Sequence, residues 1–220
     1  MENRINRLLI ALAAAVVLQV IFSVLYSISS PENMSAIYRL SVLLGGNLMG
    51  GGYIQFITFL IFFWGILEIR NFNKWLGYER KYFSTELLPT EEHAILGAAE
   101  VNSIRVKTLE YLNIKKSEGI AAQHFLLNLV KKAATKFRAN NSADAAFTIV
   151  EAQSRINREK SDSSQSHLRY ILWAIPSVGF VGTVLGISQA LSLANTGDID
   201  LITATLGVAF DTTLLALVLS

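Results

Sequence analysis

From Ile171 to Ser220 the chain reads ILWAIPSVGFVGTVLGISQALSLANTGDIDLITATLGVAFDTTLLALVLS. Its charged residues are Asp198, Asp200 and Asp211, and it has no lysine or arginine. Two apolar runs, Ile171–Ala194 and Leu201–Ser220, flank a short acidic link. A helix needs about 20 apolar residues to cross a bilayer, and each run is that long. The pair therefore reads as two membrane spans joined by a tight turn.

Two further apolar blocks precede them. Leu8–Ile28 contains no charged residue. It is longer than the core of a secretory signal, and Ile28–Pro31 shows no cleavage site. The other is centred on Tyr53–Leu67 and begins within Leu43–Gly52. In all, 52% of the 220 residues are hydrophobic and 16% charged. Soluble domains carry about 25% charge. A disordered chain, a nucleic-acid-binding domain and an ordinary cytosolic enzyme are excluded as leading readings. The absence of cysteine removes disulfide, iron–sulfur, thiol-nucleophile and cysteine–zinc chemistry.

The positive charges set the expected orientation. Arg39 is the sole basic residue between the first two blocks, and 18 of the 19 lysines and arginines fall before the first block or between Arg70 and Tyr170. The positive-inside rule makes that side cytoplasmic. The expected fold class is an all-α integral membrane protein with four transmembrane helices and a helical cytoplasmic domain between spans two and three. Both termini are cytoplasmic. Residues 1–69 hold the first two spans, 70–170 the cytoplasmic domain, and 171–220 the last two spans. Trp64, Trp75, Tyr78 and Tyr82 read as an aromatic belt at the inner end of span two. Leu214–Ser220 is still apolar with no basic anchor after it, so a cytoplasmic tail is expected beyond it.

The polar block reads as helical. Pro89-Thr90 before Glu91 and Glu92 is a helix start. Val101, Ile104, Thr108, Tyr111 and Leu112 recur at helical spacing, as do Ile120, Leu127, Val130, Ala134 and Phe137. Asn140-Asn141-Ser142 is a turn with Ser142 as N-cap. From Ala143 there is no glycine or proline until the third span, so one long helix is possible; the polar stretch Ser161–Ser166 would break it as a loop. His93, His124 and His167 are isolated and read as solvated. Gly45-Gly46 and Gly50-Gly51-Gly52 lack the Lys-Ser/Thr of a phosphate loop and read as a flexible connection.

On a helix of about 100° per residue, Pro176, Gly179, Thr183, Gly186 and Ala190 share one face, and Gly182-xxx-Gly186 is a second pair of small residues. Small residues at this spacing let a neighbouring helix approach closely. Thr183 lies 12 residues beyond Ile171, ~18 Å along a helix, near the bilayer midplane. Asp211 lies 10 residues beyond Leu201, ~15 Å along the next helix. A carboxylate there costs at least ~2.5–3.5 kcal/mol on insertion scales. It marks an ion path, or serves as helix glue capped by Thr212, Thr213 or backbone. Ala204, Gly207 and Asp211 share a face, with Thr205 and Thr212 on an adjacent one.

The run Gly179-Phe-Val-Gly182-Thr183-Val-Leu-Gly186-Ile187 resembles the G-x-x-G-T-V-x-G-I signature of the MotA/TolQ/ExbB proton-channel family. Pro176 stands where that family has its proline. Leu201-Ile-Thr-Ala-Thr-Leu-Gly207 is similar to the family's L-I-A-T-A-x-G, with Ala204 at the family threonine and Thr203 and Thr205 beside it. The resemblance covers Leu168 to Ser220. Four spans with a large inner loop resemble the flagellar-stator type of subunit.

The resemblance implies an ion-conducting subunit, for proton or sodium, in a stator-type motor of the bacterial inner membrane, and no enzyme activity or bound cofactor. It implies a homopentamer around two copies of a single-span partner with a membrane aspartate and a peptidoglycan-binding domain. Thr183 would line the ion path, with Thr203 and Thr205 substituting for the second threonine. Pro176 would permit a kink, and Gly179, Gly182, Gly186 and Gly207 would admit close packing around the partner. Asp211, together with Thr212, adds oxygen ligands that the resemblance does not supply; the expected role of Asp211 is to relay protons or tune the partner's carboxylate. A non-conducting scaffold built on the same packing stripe is the alternative.

Overall fold

The computed structural model describes residues 4–29, 36–83, 88, 96–117 and 124–220. The expected helix start at Pro89–Glu92, together with His93 and Ile120, lies outside them, and the Tyr82 side chain is not described. Among the described residues seven α-helices follow in order: α1 (Arg4–Ile28), α2 (Ala36–Leu43), α3 (Tyr53–Phe83), α4 (Ala98–Ser117), α5 (Phe125–Asn140), α6 (Ala143–Leu193) and α7 (Ile199–Leu219). No strand occurs among the described residues. Among the described residues four helical segments are long and apolar enough to cross a membrane: Arg4–Ile28, Leu48–Arg80, Ala143–Thr196 and Ile199–Leu219. The protein is all-α, as its long apolar runs and helical spacing lead one to expect.

α6 runs unbroken for 51 residues, ~76 Å. Ser161–Ser166 is helix rather than loop, because serine and glutamine are tolerable helix residues when no glycine or proline interrupts them. The chain divides into two compact units.

One unit is Glu2–Ile69 with Ser166–Ser220. Its core joins Ala15 of α1, Phe59 of α3 and Leu215 of α7, flanked by Phe22, Phe56 and Phe63. Towards one end of α1 and α3, Arg7 and Glu68 form a buried ion pair at 3.0 Å. Gly65 lies against Ile171. Trp64 meets the His167 ring edge-on at 5.4 Å. His167 is thus packed rather than solvated, because the helical spacing that follows it turns it towards α3. The surfaces of α1, α6 and α7 carry many exposed apolar side chains, among them Val17, Val20, Phe180, Val184, Phe210 and Leu217. Such a surface suits lipid or other apolar partners.

The glycine-rich segment is not a loose connection. α2 folds back along α1, with Tyr38 stacked on Tyr26. A π-helical turn, Leu48–Gly52, then leads into α3. Gly45 (φ 91°) and Gly51 (φ 120°) occupy left-handed backbone that other residues rarely adopt. Gln19 Nε2 donates to Gly45 O at 2.5 Å, and Gln55 Nε2 donates to Leu43 O at 3.0 Å. Ser23 Oγ donates to Gly46 O at 3.2 Å. Irregular backbone at membrane depth survives only where protein groups satisfy it, and these buried amides do so.

The second unit is Arg70–Gln165. Val101, Ile104, Thr108 and Leu112 of α4 face inward, as do Leu127, Val130 and Ala134 of α5, with Leu112 packed on Leu127. Tyr111 remains 39% exposed, outside the stripe proposed for it. Asn141 (φ 50°) ends α5, and Ser142 Oγ accepts from Ala145 N at 3.3 Å to start α6. Trp75 packs edge-on against Phe125. His124 is buried, its Nδ1 3.2 Å from Glu79 Oε1. Glu79 also accepts from the Phe125 amide at 2.9 Å, so a carboxylate closes the positive end of α5. This partner, 45 residues away in sequence, is why the histidine is buried.

Candidate functional site

The site is built on the contact between α6 and α7. A 3₁₀ turn at Ala194–Thr196 and left-handed Gly197 (φ 72°) reverse the chain. Asp198 Oδ1 then accepts from Leu201 N at 3.0 Å and caps α7. The acidic link thereby supplies the helix start.

The glycine stripe of α6 lies directly on α7. A Cβ on Gly179 would collide with the Ala216 Cβ. On Gly182 it would stand 2.6 Å from Thr212 Oγ1 and 2.8 Å from Ile54 Cγ2. On Gly186 it would stand 2.5 Å from the Ala209 Cβ. Ala190, next in the stripe, is 3% exposed. The glycines are therefore used within the chain. Gly207 differs: among the described residues nothing lies within 4 Å of where its Cβ would be. Pro176 sits inside continuous α6, where it removes one backbone hydrogen bond.

Thr183 sits in this contact. Its Oγ1 is 3.3 Å from Gly179 O on its own helix and 3.1 Å from Ala209 O across on α7, and it also contacts Thr213 Oγ1. Thr213 Oγ1 in turn donates to Gly179 O at 3.1 Å. Thr212, 2% exposed, donates to Ala209 O at 2.7 Å within α7 and packs on Gly182. Thr203 and Thr205 lie elsewhere: each donates at 2.8 Å to a carbonyl of its own helix, Ile199 O and Leu201 O. The arrangement brings Thr183, Gly179, Gly182, Gly186 and Thr212 together and leaves Thr203, Thr205 and Gly207 outside.

Asp211 is half-buried on α7 and makes no hydrogen bond among the described residues. It shares a face with Ala204 and Gly207, both exposed. α2 packs on α7, the helix that carries Asp211.

Thr213 is the residue the sequence motif does not single out. A signal for it exists. In an antiparallel pair, residues equidistant from the turn stand level. Thr183 lies 14 residues from Gly197 and Thr212 and Thr213 lie 15 and 16 away, whereas Thr205 lies only 8 away, so the level points to the Thr212–Thr213 pair.

No group of histidine, aspartate and glutamate side chains suited to a metal ion occurs among the described residues. The fold and this contact define a multi-pass, all-α membrane protein organised around a hydroxyl-bearing seam between two close-packed helices. Residues 121–220 match the family model of the MotA/TolQ/ExbB proton channel family. No curated protein and no solved structure matches the chain.

Proposed function

We propose that this protein is the ion-conducting subunit of a stator-type motor complex, coupling a proton or sodium gradient to mechanical work through a single-span partner. The observation that carries the reading is the Thr183 hydroxyl, held in the α6–α7 seam beside a second hydroxyl and two carbonyl oxygens. Hydroxyl and carbonyl oxygens can receive a proton carrier or replace part of a sodium ion's hydration shell. The ion path would run past Thr183.

The open face of α7, with Ala204, Gly207 and Asp211, is the surface proposed to receive the partner or a neighbouring copy of this chain. Gly207 leaves room for close approach there, since no described residue lies within 4 Å of where its Cβ would be. Asp211 would relay protons from that face or tune the partner's carboxylate. The proposed assembly is a homopentamer around two partner copies in the bacterial inner membrane, with both termini and residues 70–170 on the cytoplasmic side. The basic residues between Arg70 and Tyr170 support that orientation.

A non-conducting scaffold is the second reading. It is favoured by one specific observation: Gly179, Gly182 and Gly186 serve packing within the chain. Native mass spectrometry of the full-length protein in mild detergent tests the assembly. Five copies, alone or with two of a smaller subunit, support the stator reading. A monomer or dimer overturns it.

A further inference from the structure

The second hydroxyl of the ion path can be assigned from the geometry, given the reading above. The family motif points to position 204, which is alanine here, and to its neighbours Thr203 and Thr205. Both neighbours bond carbonyls of their own helix. Thr205 stands 8 residues, ~12 Å, along α7 from Thr213, the residue that touches Thr183.

We propose that Thr213 is the positioning residue for Thr183: it orients the Thr183 hydroxyl and supplies the second side-chain oxygen to a passing monovalent, oxygen-coordinated cation, hydronium or sodium.

The argument counts protons. Thr183 and Thr213 have one hydroxyl proton each, and each oxygen can also accept. Thr183 has Gly179 O, Ala209 O and the Thr213 oxygen in reach. Thr213 has Gly179 O and the Thr183 oxygen in reach. Two patterns put a proton in the contact between the hydroxyls. In one, Thr183 donates to the Thr213 oxygen and Thr213 donates on to Gly179 O, so the Thr183 oxygen keeps its lone pairs free. In the other, Thr213 donates to Thr183, which donates on to a carbonyl, and the Thr183 oxygen is partly occupied. Rotation of two hydroxyls interconverts them without moving a helix. Thr213 therefore decides whether the Thr183 oxygen is available to a cation. Thr212 cannot substitute, because its hydroxyl is directed to Ala209 O and it is buried against Gly182.

The test is ion flux through the purified full-length complex in liposomes, read with a pH-sensitive dye and, in parallel, with a sodium-sensitive one. The two readouts distinguish hydronium from sodium. Thr213→Val keeps the shape and removes the hydroxyl. It should lower flux about tenfold or more, the equivalent of losing one hydrogen bond to a charged group. Thr213→Ser should restore flux to within about twofold of the parent, well inside the loss expected for that bond. Thr203→Val and Thr205→Val should leave flux unchanged. If Thr213→Val does not assemble, Thr213→Ser against Thr213→Ala isolates the hydroxyl. Parent-like flux in Thr213→Val or Thr213→Ala, with Thr183→Val silent, overturns the assignment and leaves the conducting reading intact. Parent-like flux in Thr183→Val removes the conducting reading itself.

Discussion

Arg7 and Glu68, 61 residues apart in sequence, meet inside the protein: Arg7 Nη2 lies 3.0 and 3.2 Å from the two oxygens of Glu68. Arg7 is 3% exposed and Glu68 9%. A charge that sequence analysis places at the flank of the first span as a topology marker is therefore also a structural element tying α1 to α3. Breaking a buried pair strands the remaining charge, which costs about 3–5 kcal/mol. Glu68→Ala should accordingly lower the thermal unfolding temperature of the detergent-solubilised protein markedly. The double substitution Arg7→Met with Glu68→Met should recover most of the loss. Additive losses in the double variant would contradict this reading.

Gly179 and Gly207 make opposite forecasts. At Gly179 a methyl group meets the Ala216 Cβ, so Gly179→Ala must push α6 and α7 apart. Overpacking of this kind costs about 1–3 kcal/mol. At Gly207 a methyl meets open space. Gly207→Ala should leave the unfolding temperature of the single chain near the parent's while weakening assembly, read as a loss of high-mass species in native mass spectrometry. Equal effects of the two substitutions on single-chain stability would refute the contrast.

Glu79 closes the start of α5 through the Phe125 and Leu126 amides and holds His124. Glu79→Ala leaves these donors buried without an acceptor, at about 1–3 kcal/mol. Amide hydrogen exchange should accelerate in α5 and in the part of α4 packed on it. Unchanged protection at Phe125–Val130 would contradict the capping role.

The large features were legible in the sequence because each rests on a long apolar run or a regular period. The small-residue stripe from Gly179 to Ala190 faces its neighbour as the 100° periodicity requires. What was not legible depends on residues distant in the chain. Gly45 and Gly51 signal a turn, but only Gln19 and Gln55 make that turn a fixed, packed one. His124 reads as solvated until Glu79, on another helix, is brought against it. Ser161–Ser166 reads equally as loop or helix; neighbouring turns on both sides carry it as helix. Thr213 was hidden because the motif directs attention to position 204; the level of the antiparallel partner points to Thr212 and Thr213, and only their packing shows which hydroxyl meets Thr183.

The central claim is that the α6–α7 seam conducts through Thr183. The most direct measurement is ion flux in liposomes holding the intact complex, comparing parent, Thr183→Val and Thr183→Ser at equal assembly. The account predicts that valine, which keeps the shape and loses the hydroxyl, abolishes flux and that serine retains most of it. Parent-like flux in Thr183→Val would show that the seam only packs, and the scaffold reading would take its place.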